Sequence, residues 1–392
     1  MALKVKLILD NQVSRGLTKV GAQIKSLSID FIKYSAIATA AIAGTALKLE
    51  TDLEYGLAEI STLMTDITDR DVKRMRSELQ KLGRDSGQAI KPLLKARYDI
   101  VSAGFVSAAQ SAMVLNQSVK LAVGGVTSAA QAADIMTTAL NSYSYAAEDS
   151  AYVSDILFTT VRLGKTTMNE LATSMGQMLP IARASNVSLA DASASLALVT
   201  ANGLDTAIAA TALKNGFKAL AAPSNHAKQA LADAGITLKY LNDGTLDLIK
   251  TMEQFKGRDF SEFRDLIPDI RAINALLLMA NNLDRLNSFM QQTRNSAGAT
   301  EVAFDKMMNT FKVKGQRILR SLETPMQELG AVLIKKLTPF VDEAIRILGR
   351  LGDIGWDKIF ADISNRWTTF SPLFQNLLTA TLSSVPILFK HF

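Results

Sequence analysis

The nearest approach to a reactive motif is Gly164-Lys165-Thr166, which echoes the end of a phosphate-binding loop. Such a loop needs a glycine five residues before that Gly, so that backbone N–H groups can wrap the phosphates. Thr159 stands there instead, with no strand or second glycine before it, so nucleotide binding is not expected. Two histidines, His226 and His391, are too few for a His-rich zinc site or a multi-histidine relay. The lack of cysteine removes disulfides and thiolate metal sites. His226, in Ala-Pro-Ser-Asn-His-Ala-Lys, reads as a surface or helix-capping residue. The acidic pairs Glu148-Asp149 and Asp342-Glu343 are sequence neighbours, which point apart on a helix and make poor acid–base pairs; they read as solvated positions near helix starts. The sequons at Asn116 and Asn186 matter only in a chain secreted by a glycosylating cell. A peptidoglycan hydrolase would need an acid, nucleophile or metal constellation, and none is recognisable. No catalytic, cofactor or metal site is expected, and the chain does not read as an enzyme.

The elements available for positioning side chains are helical. Of the 392 residues, 48% are hydrophobic and 20% charged, but only 6% are aromatic. Small side chains at high density suit close helix–helix packing. The net charge of +6 is mild. Basic residues gather between Arg15 and Lys48 and between Lys306 and Arg320, and both groups read as solvated helix faces rather than nucleic-acid or anionic-lipid contacts.

The N-terminus alternates Leu3, Val5, Leu7 and Leu9 against Lys4 and Lys6. A two-residue period predicts a short strand, not a signal peptide, so synthesis is expected to leave the protein in the cytoplasm of its maker. Val13, Leu17, Val20, Ile24 and Leu27 then mark an amphipathic helix. Tyr34 to Leu47 is apolar but only 14 residues long, short of the roughly 20 needed to span a bilayer, and reads as a buried helix. Ile100 to Val119 and Trp367 to Phe389 also lack charge. Ser, Gln and Asn in the first, and Pro372 and Pro386 in the second, argue for packed and docking segments over membrane spans.

From Glu50 to about Asn295 the pattern is helical almost throughout. Glycines mark stops, and caps such as Ser188-Leu-Ala-Asp191, a capping box variant, mark starts. Pro92, Pro180, Pro223 and Pro268 add punctuation. One faint repeat aligns Ile100 to Ala108 with Val199 to Ala207, placing Gly104 on Gly203 and Ser107 on Thr206. It suggests duplicated helical hairpins.

The most regular pattern runs through Ile318, Leu322, Met326, Leu329, Leu333, Leu337, Phe340, Ala344, Leu348 and Leu351. Steps of four, four and three give an eleven-residue repeat, about 3.67 residues per turn, which favours nearly straight helix association. This is the candidate helix-association stripe; an ordinary intramolecular bundle would show the same spacing. Thr324-Pro325 and Thr338-Pro339 cut across it. Thr as cap, Pro as first residue and Gln327 as box partner predict a kink or a division into consecutive helices sharing one face.

The ordered series from Glu50-Thr-Asp-Leu-Glu54 onward resembles the core region of phage tail tape measure proteins. The residues that carry it include Leu79-Gln-Lys-Leu-Gly83, Tyr98 to Gly104, Ala132-Ala-Asp134, Val153-Ser-Asp155, Asn169-Glu-Leu-Ala172 and Asn186 to Ala192. Thr211 to Lys214, Leu220 to Pro223, Leu231 to Ile236, Asn242-Asp-Gly244, Ser296-Ala-Gly298 and Leu337-Thr-Pro-Phe340 continue it. No single piece is specific; the order over roughly 250 residues carries the likeness. Members of that family are often longer, with coiled-coil tracts and sometimes hydrolase modules, so this chain reads as a tape for a short tail or one acting through its core and termini.

The resemblance implies several elongated copies in the lumen of the tail tube, setting its length and leaving ahead of the DNA. It implies contacts with the tube protein, a tail assembly chaperone, baseplate or tail-tip hub proteins, and the host membrane and phage DNA end, with host cytoplasm as the place of assembly. A helix rises about 1.5 Å per residue, so the whole chain drawn out would reach about 590 Å. The expected fold is all-α: an elongated helical bundle of hairpins with long amphipathic helices and a short N-terminal β-strand. Its expected parts are 1–49, strand plus amphipathic and apolar helices; 50–300, the core helical domain; 301–351, the stretch with the repeat; and 352–392, a docking segment. The alternative is a membrane-active pore former built on Tyr34 to Leu47 and Trp367 to Phe389.

Overall fold

The computed structural model describes residues 36–349 apart from 66, 222–224, 234, 259–266 and 268. The N-terminal strand, the amphipathic segment from Asn11, Leu351, Trp367 to Phe389 and His391 lie outside the described residues. Among the described residues the fold is all-α, with one isolated antiparallel bridge, Tyr240 to Leu246, closing the turn at Asn242-Asp-Gly244. The chain divides into two compact units: a larger one, Leu53–Ser321, and a smaller one formed by Met1–Asp52 with Leu322–Phe392.

Capping chemistry sets the helix starts of the larger unit. Helix α1 (Ala36–Ser61) enters it at Leu53. The Thr68 hydroxyl and the Asp71 carboxylate exchange hydrogen bonds with each other's backbone N–H, a full capping box, at the head of α2 (Asp69–Ser86). After α3 (Ile90–Ser102), the Ser107 and Ser128 hydroxyls accept the N–H groups of Gln110 and Gln131 to start α4 (Ala108–Gly124) and α5 (Ala129–Tyr143). Helix α6 (Ser150–Leu163) leads into α7 (Met168–Ser174), opened by a second box between Thr167 and Glu170. Short α8 (Leu179–Ala184) carries Pro180 in its first turn. Each box satisfies donors that a helix end otherwise leaves unpaired.

Six helix stops share one geometry as well. At Phe105, Thr127, Tyr145, Val187, Leu204 and Ile236 the N–H reaches back to the carbonyl five residues earlier, at 2.8 to 3.4 Å. This is the six-to-one bond of a Schellman stop. The faint repeat of the sequence is visible in this geometry: Gly104 (φ +105°) and Gly203 (φ +102°) occupy equivalent left-handed positions. The alignment slips by one residue afterwards, because α4 is capped by Ser107 whereas α10 (Thr206–Ala221) is headed by Asp205, which accepts from Ala207 and Ile208.

Three of these stops use non-glycine residues at positive φ: Val126, Ser144 and Asn186. Val126 is β-branched, 73% exposed and at φ +55°, so it bears strain without burying its side chain. The left-handed region costs an L-residue roughly 1–2 kcal/mol. Val126→Gly is expected to raise stability by about 1 kcal/mol, read as a higher urea midpoint; a lower midpoint would show that the side chain contributes packing.

The core of the larger unit centres on α9 (Leu189–Ala201), in which every residue from Leu189 to Thr200 is buried. Its Ala- and Ser-rich surface lets neighbours approach on all sides. Helices α6, α10 and α14 (Leu283–Arg294) pack against it, and α10 pairs in turn with α13 (Ile270–Asn281). Between α10 and α13 lie α11 (Asn225–Asp233) and α12 (Leu248–Glu253). Beyond α14, α15 (Ala299–Met308) packs on α4 and α6, and α16 begins at Phe311 and runs to Gly349.

In the smaller unit, Ala43 and Ala46 of α1 form an apolar cluster with Leu329 and Leu333 of α16, flanked by Met326. The backbones nearly touch there: a Cβ on Gly330 would sit 2.2 Å from the Ala46 carbonyl oxygen.

Candidate functional site

The candidate reactive positions resolve into helix architecture. Gly164 ends α6, its N–H donating to the Thr160 carbonyl at 2.9 Å, and Thr167 opens α7 three residues later. A Cβ on Gly164 would lie 2.6 Å from Thr200 Oγ1 and 3.0 Å from Ala197 Cα, so this glycine permits the close crossing of α6 and α9. Asp149 accepts the Ala146 N–H at 2.9 Å, capping a 3-10 turn, and Glu148 is exposed. Asp342 and Glu343 lie within α16, and His226 is the second residue of α11. Among the described residues no group of three or more His, Asp and Glu side chains gathers as a metal site would need. One open hollow of about 460 Å³ is lined by Arg162, Asp284, Asn287, Ser288 and Gln291 among others. It lacks the apolar walls that hold small molecules.

The association stripe lies wholly on helix as far as Leu348. Helix α16 runs unbroken through Pro325 and Pro339, so neither Thr-Pro pair starts a new helix, contrary to the division that the sequence allowed. A proline inside a helix deletes a ladder donor and costs about 3 kcal/mol. In the smaller unit the seam of Leu329, Gly330 and Leu333 on α1 holds the helix together between the two prolines.

The stripe is not uniformly covered. Within the larger unit, Phe311 is 93% exposed, and Ile318 and Leu319 are also exposed. The opposite face of α16 docks there: Gln316 Cβ and Arg317 Cγ lie within 3.5 Å of where a Gly87 Cβ would stand, and Val313 is buried. Within the smaller unit Leu322 is exposed, Met326 half-buried, and Leu329 and Leu333 buried against α1. Leu337 is half-buried; Phe340, Ala344 and Leu348 fall on the helix beyond it. The apolar spacing thus serves both an internal seam and an open face.

What the sequence does not reveal is a set of buried charges tying distant helices together. Asp191, fully buried on α9, accepts two hydrogen bonds from the Arg294 guanidinium on α14, at 2.9 and 2.8 Å. Only half of the expected Ser188 box forms: Ser188 Oγ accepts the Asp191 N–H at 3.1 Å, and the carboxylate turns to Arg294 instead of back to the cap. Asp155 on α6 accepts the N–H groups of Gly298 and Thr300 at 2.7 and 2.8 Å. Arg97, fully buried on α3, donates to Glu78 Oε2 at 3.0 Å and to the Ala108 carbonyl at 2.9 Å. Burial pulls its guanidinium below the usual range, and the Glu78 hydrogen bond and charge oppose that. Asp155 and Asp191 stand inside segments that carried the family likeness, but their partners lie more than 100 residues away, where spacing gives no signal.

Tyr143, Tyr145 and Tyr152 form an aromatic cluster, the first pair stacked at 5.9 Å and the second edge-on at 5.9 Å. Tyr143 is buried and donates its hydroxyl to the Val187 carbonyl at 3.0 Å. Desolvation pushes its phenol far above the ordinary value, and also pushes Tyr145 up to about 12. An unfolded tyrosine loses its proton near pH 10, so above that pH the folded chain holds a proton that the unfolded chain has released. The stability so contributed is intact below pH 10 and falls as pH rises, by about 1.4 kcal/mol per pH unit for one group. Urea midpoints are expected to fall more steeply between pH 10 and 11 for the native chain than for Tyr143→Phe; equal slopes would remove Tyr143 as the cause.

Comparison with known proteins agrees with this architecture. The profile of the family described as "Phage-related minor tail protein" matches residues 76–276, just over half of the chain and most of the helical body. A protein called "Probable tape measure protein" from Clostridium phage phiCD119 is 24% identical over 404 aligned positions, covering 97% of this chain and 42% of that protein. The "Tape measure protein" of Pneumococcus phage Dp-1 is 19% identical over 341 positions, covering 84% of this chain and 29% of that protein. The chain therefore spans less than half the length of the curated relatives it matches. No solved structure matches. The family profile, which covers just over half of the chain, leads to one assignment: the chain belongs to the phage-related minor tail protein family, and it is similar to two phage tape measure proteins.

Proposed function

We propose that the protein is packed in several copies along the lumen of the tail tube, sets the length of the tube during assembly and leaves ahead of the DNA, without catalysing a reaction. The observation that carries this reading is the 39-residue helix α16 with its partly uncovered apolar stripe. In this reading residues 50–300 are the body, the part of the Ile318 to Leu351 stripe that α1 leaves uncovered is the surface through which copies associate, and segment 352–392 docks at one end. The tube protein lines the lumen, the hub anchors one end, and a chaperone shields the stripe in the host cytoplasm, since exposed apolar patches promote aggregation. Contacts with the host membrane and the DNA end belong to the ejection step.

In-frame deletion of Ile318 to Leu351 tests the ruler. Helical residues rise about 1.5 Å each, so tails seen by electron microscopy are expected to be about 50 Å shorter. Tails of unchanged length on intact particles would assign this segment to the hub or the membrane instead.

A further inference from the structure

We infer that residues 296–321 form a strap latched to the helical body by Asp155, able to open as a unit while the body stays folded. The inference concerns the order in which the chain opens and does not depend on the ruler reading.

Apolar burial holds this segment only lightly. On α15 just Thr300 and Ala303 are buried, and on the first turns of α16 only Val313. Phe304, Met307 and Met308 are half-buried against the core, while Val302, Phe311 and Ile318 face solvent. Helix α9, by contrast, is enclosed along its whole length. The seam between α15 and α4 is close but made of small residues, a Cβ on Gly124 standing 3.1 Å from that of Ala303.

The polar attachments are unequal. At the far end, the Arg317 guanidinium reaches the exposed Arg84 carbonyl at 3.4 Å. The Lys120–Glu301 ion pair is part-exposed on both sides, and such pairs add little. Asp155 differs: the residue is buried, 6% exposed, and its carboxylate accepts two short backbone hydrogen bonds at the head of α15. Bonds to a buried charge are the strong class, and a carboxylate at a helix N-terminus also meets the positive end of the helix dipole. Gly298, at φ +80°, is the residue where the chain turns from α14 into α15. The turn at Gly298, the two N–H groups that Asp155 holds and the lightly buried α15 therefore follow one another along the chain.

Hydrogen exchange followed by mass spectrometry on the full chain tests this. In Asp155→Asn one hydrogen bond is kept and the other is replaced by opposed N–H groups. Amides of 304–308 and 314–321, away from the latch itself, are expected to exchange at least tenfold faster, with α9 unchanged. The native chain has no cysteine, so a Gly124→Cys, Ala303→Cys pair can be oxidised as a unique bridge, the Cβ atoms opening by a few tenths of an ångström. The bridge is expected to restore slow exchange in the Asp155→Asn background. Strap and α9 rising together, or no change in the strap, would overturn the inference. If Asp155→Asn does not fold, exchange of the native chain in low urea decides: strap amides opening before α9 supports the strap, and a single joint transition ends it.

Discussion

Arg294→Ala is expected to lower the stability of the larger unit by about 3 kcal/mol, whereas Asp191→Asn costs about 1 kcal/mol. The asymmetry comes from which partner is buried. The Asp191 side chain is 1% exposed and the Arg294 side chain 43% exposed. Removing the arginine strands a carboxylate in the middle of α9, where no water replaces two charge-assisted hydrogen bonds. Removing the carboxylate charge leaves a guanidinium that solvent reaches. The loss in Arg294→Ala falls at the low end for a broken buried pair because the arginine half of the bridge is already hydrated. Urea midpoints of the two single variants and of Asp191→Leu with Arg294→Ala complete the test. The double variant should be more stable than Arg294→Ala alone. If Asp191→Asn proves the more damaging change, the buried carboxylate is not what makes the pair matter.

The second large effect follows the same logic with the signs of the charges exchanged. Glu78 is 39% exposed and Arg97 fully buried, so Glu78→Ala leaves a buried cation with only the Ala108 carbonyl, and a loss of about 3–4 kcal/mol is expected. Arg97→Met removes the charge, fills comparable space and leaves Glu78 in contact with water; a change within about 1 kcal/mol of native is expected. Arg97 Nε already lacks a partner, so the native arrangement is not fully satisfied even when the pair is intact. Thermal melts of both variants check the ranking, and a strongly destabilised Arg97→Met with a near-native Glu78→Ala would reverse it.

Most of the body was legible because its signals are local. Ser107, Thr167 and Ser188 start helices by accepting an N–H three residues ahead, and Gly104 and Gly203 stop them by adopting a backbone that other residues resist. The repeat between Ile100 and Val199 was legible for the same reason, as duplicated stop geometry. Two things were not. Unbroken α16 required knowing that α1 lies along Leu329 to Leu333, since Thr-Pro spacing by itself favours a new start. The braces Asp155, Asp191 and Arg97 are defined by partners from other helices, and a carboxylate three residues past a capping serine looks like half of a box until Arg294 is seen beside it. The association stripe was legible as a period, but the period does not say which turns α1 covers.

The Schellman stops have a mechanical consequence. Each is closed by backbone bonds within six residues, so a helix with its stop needs little from its neighbours to keep its end. If tension along such a chain parts helices from one another before it unwinds them, the chain lengthens as jointed rods, with the left-handed residues at Gly104, Val126, Ser144, Asn186 and Gly203 as the joints. Each rod adds a fixed increment, about 20 Å for a 13-residue helix such as α9. Extension under load would be stepwise rather than smooth, and the step sizes would be set by the positions of the caps.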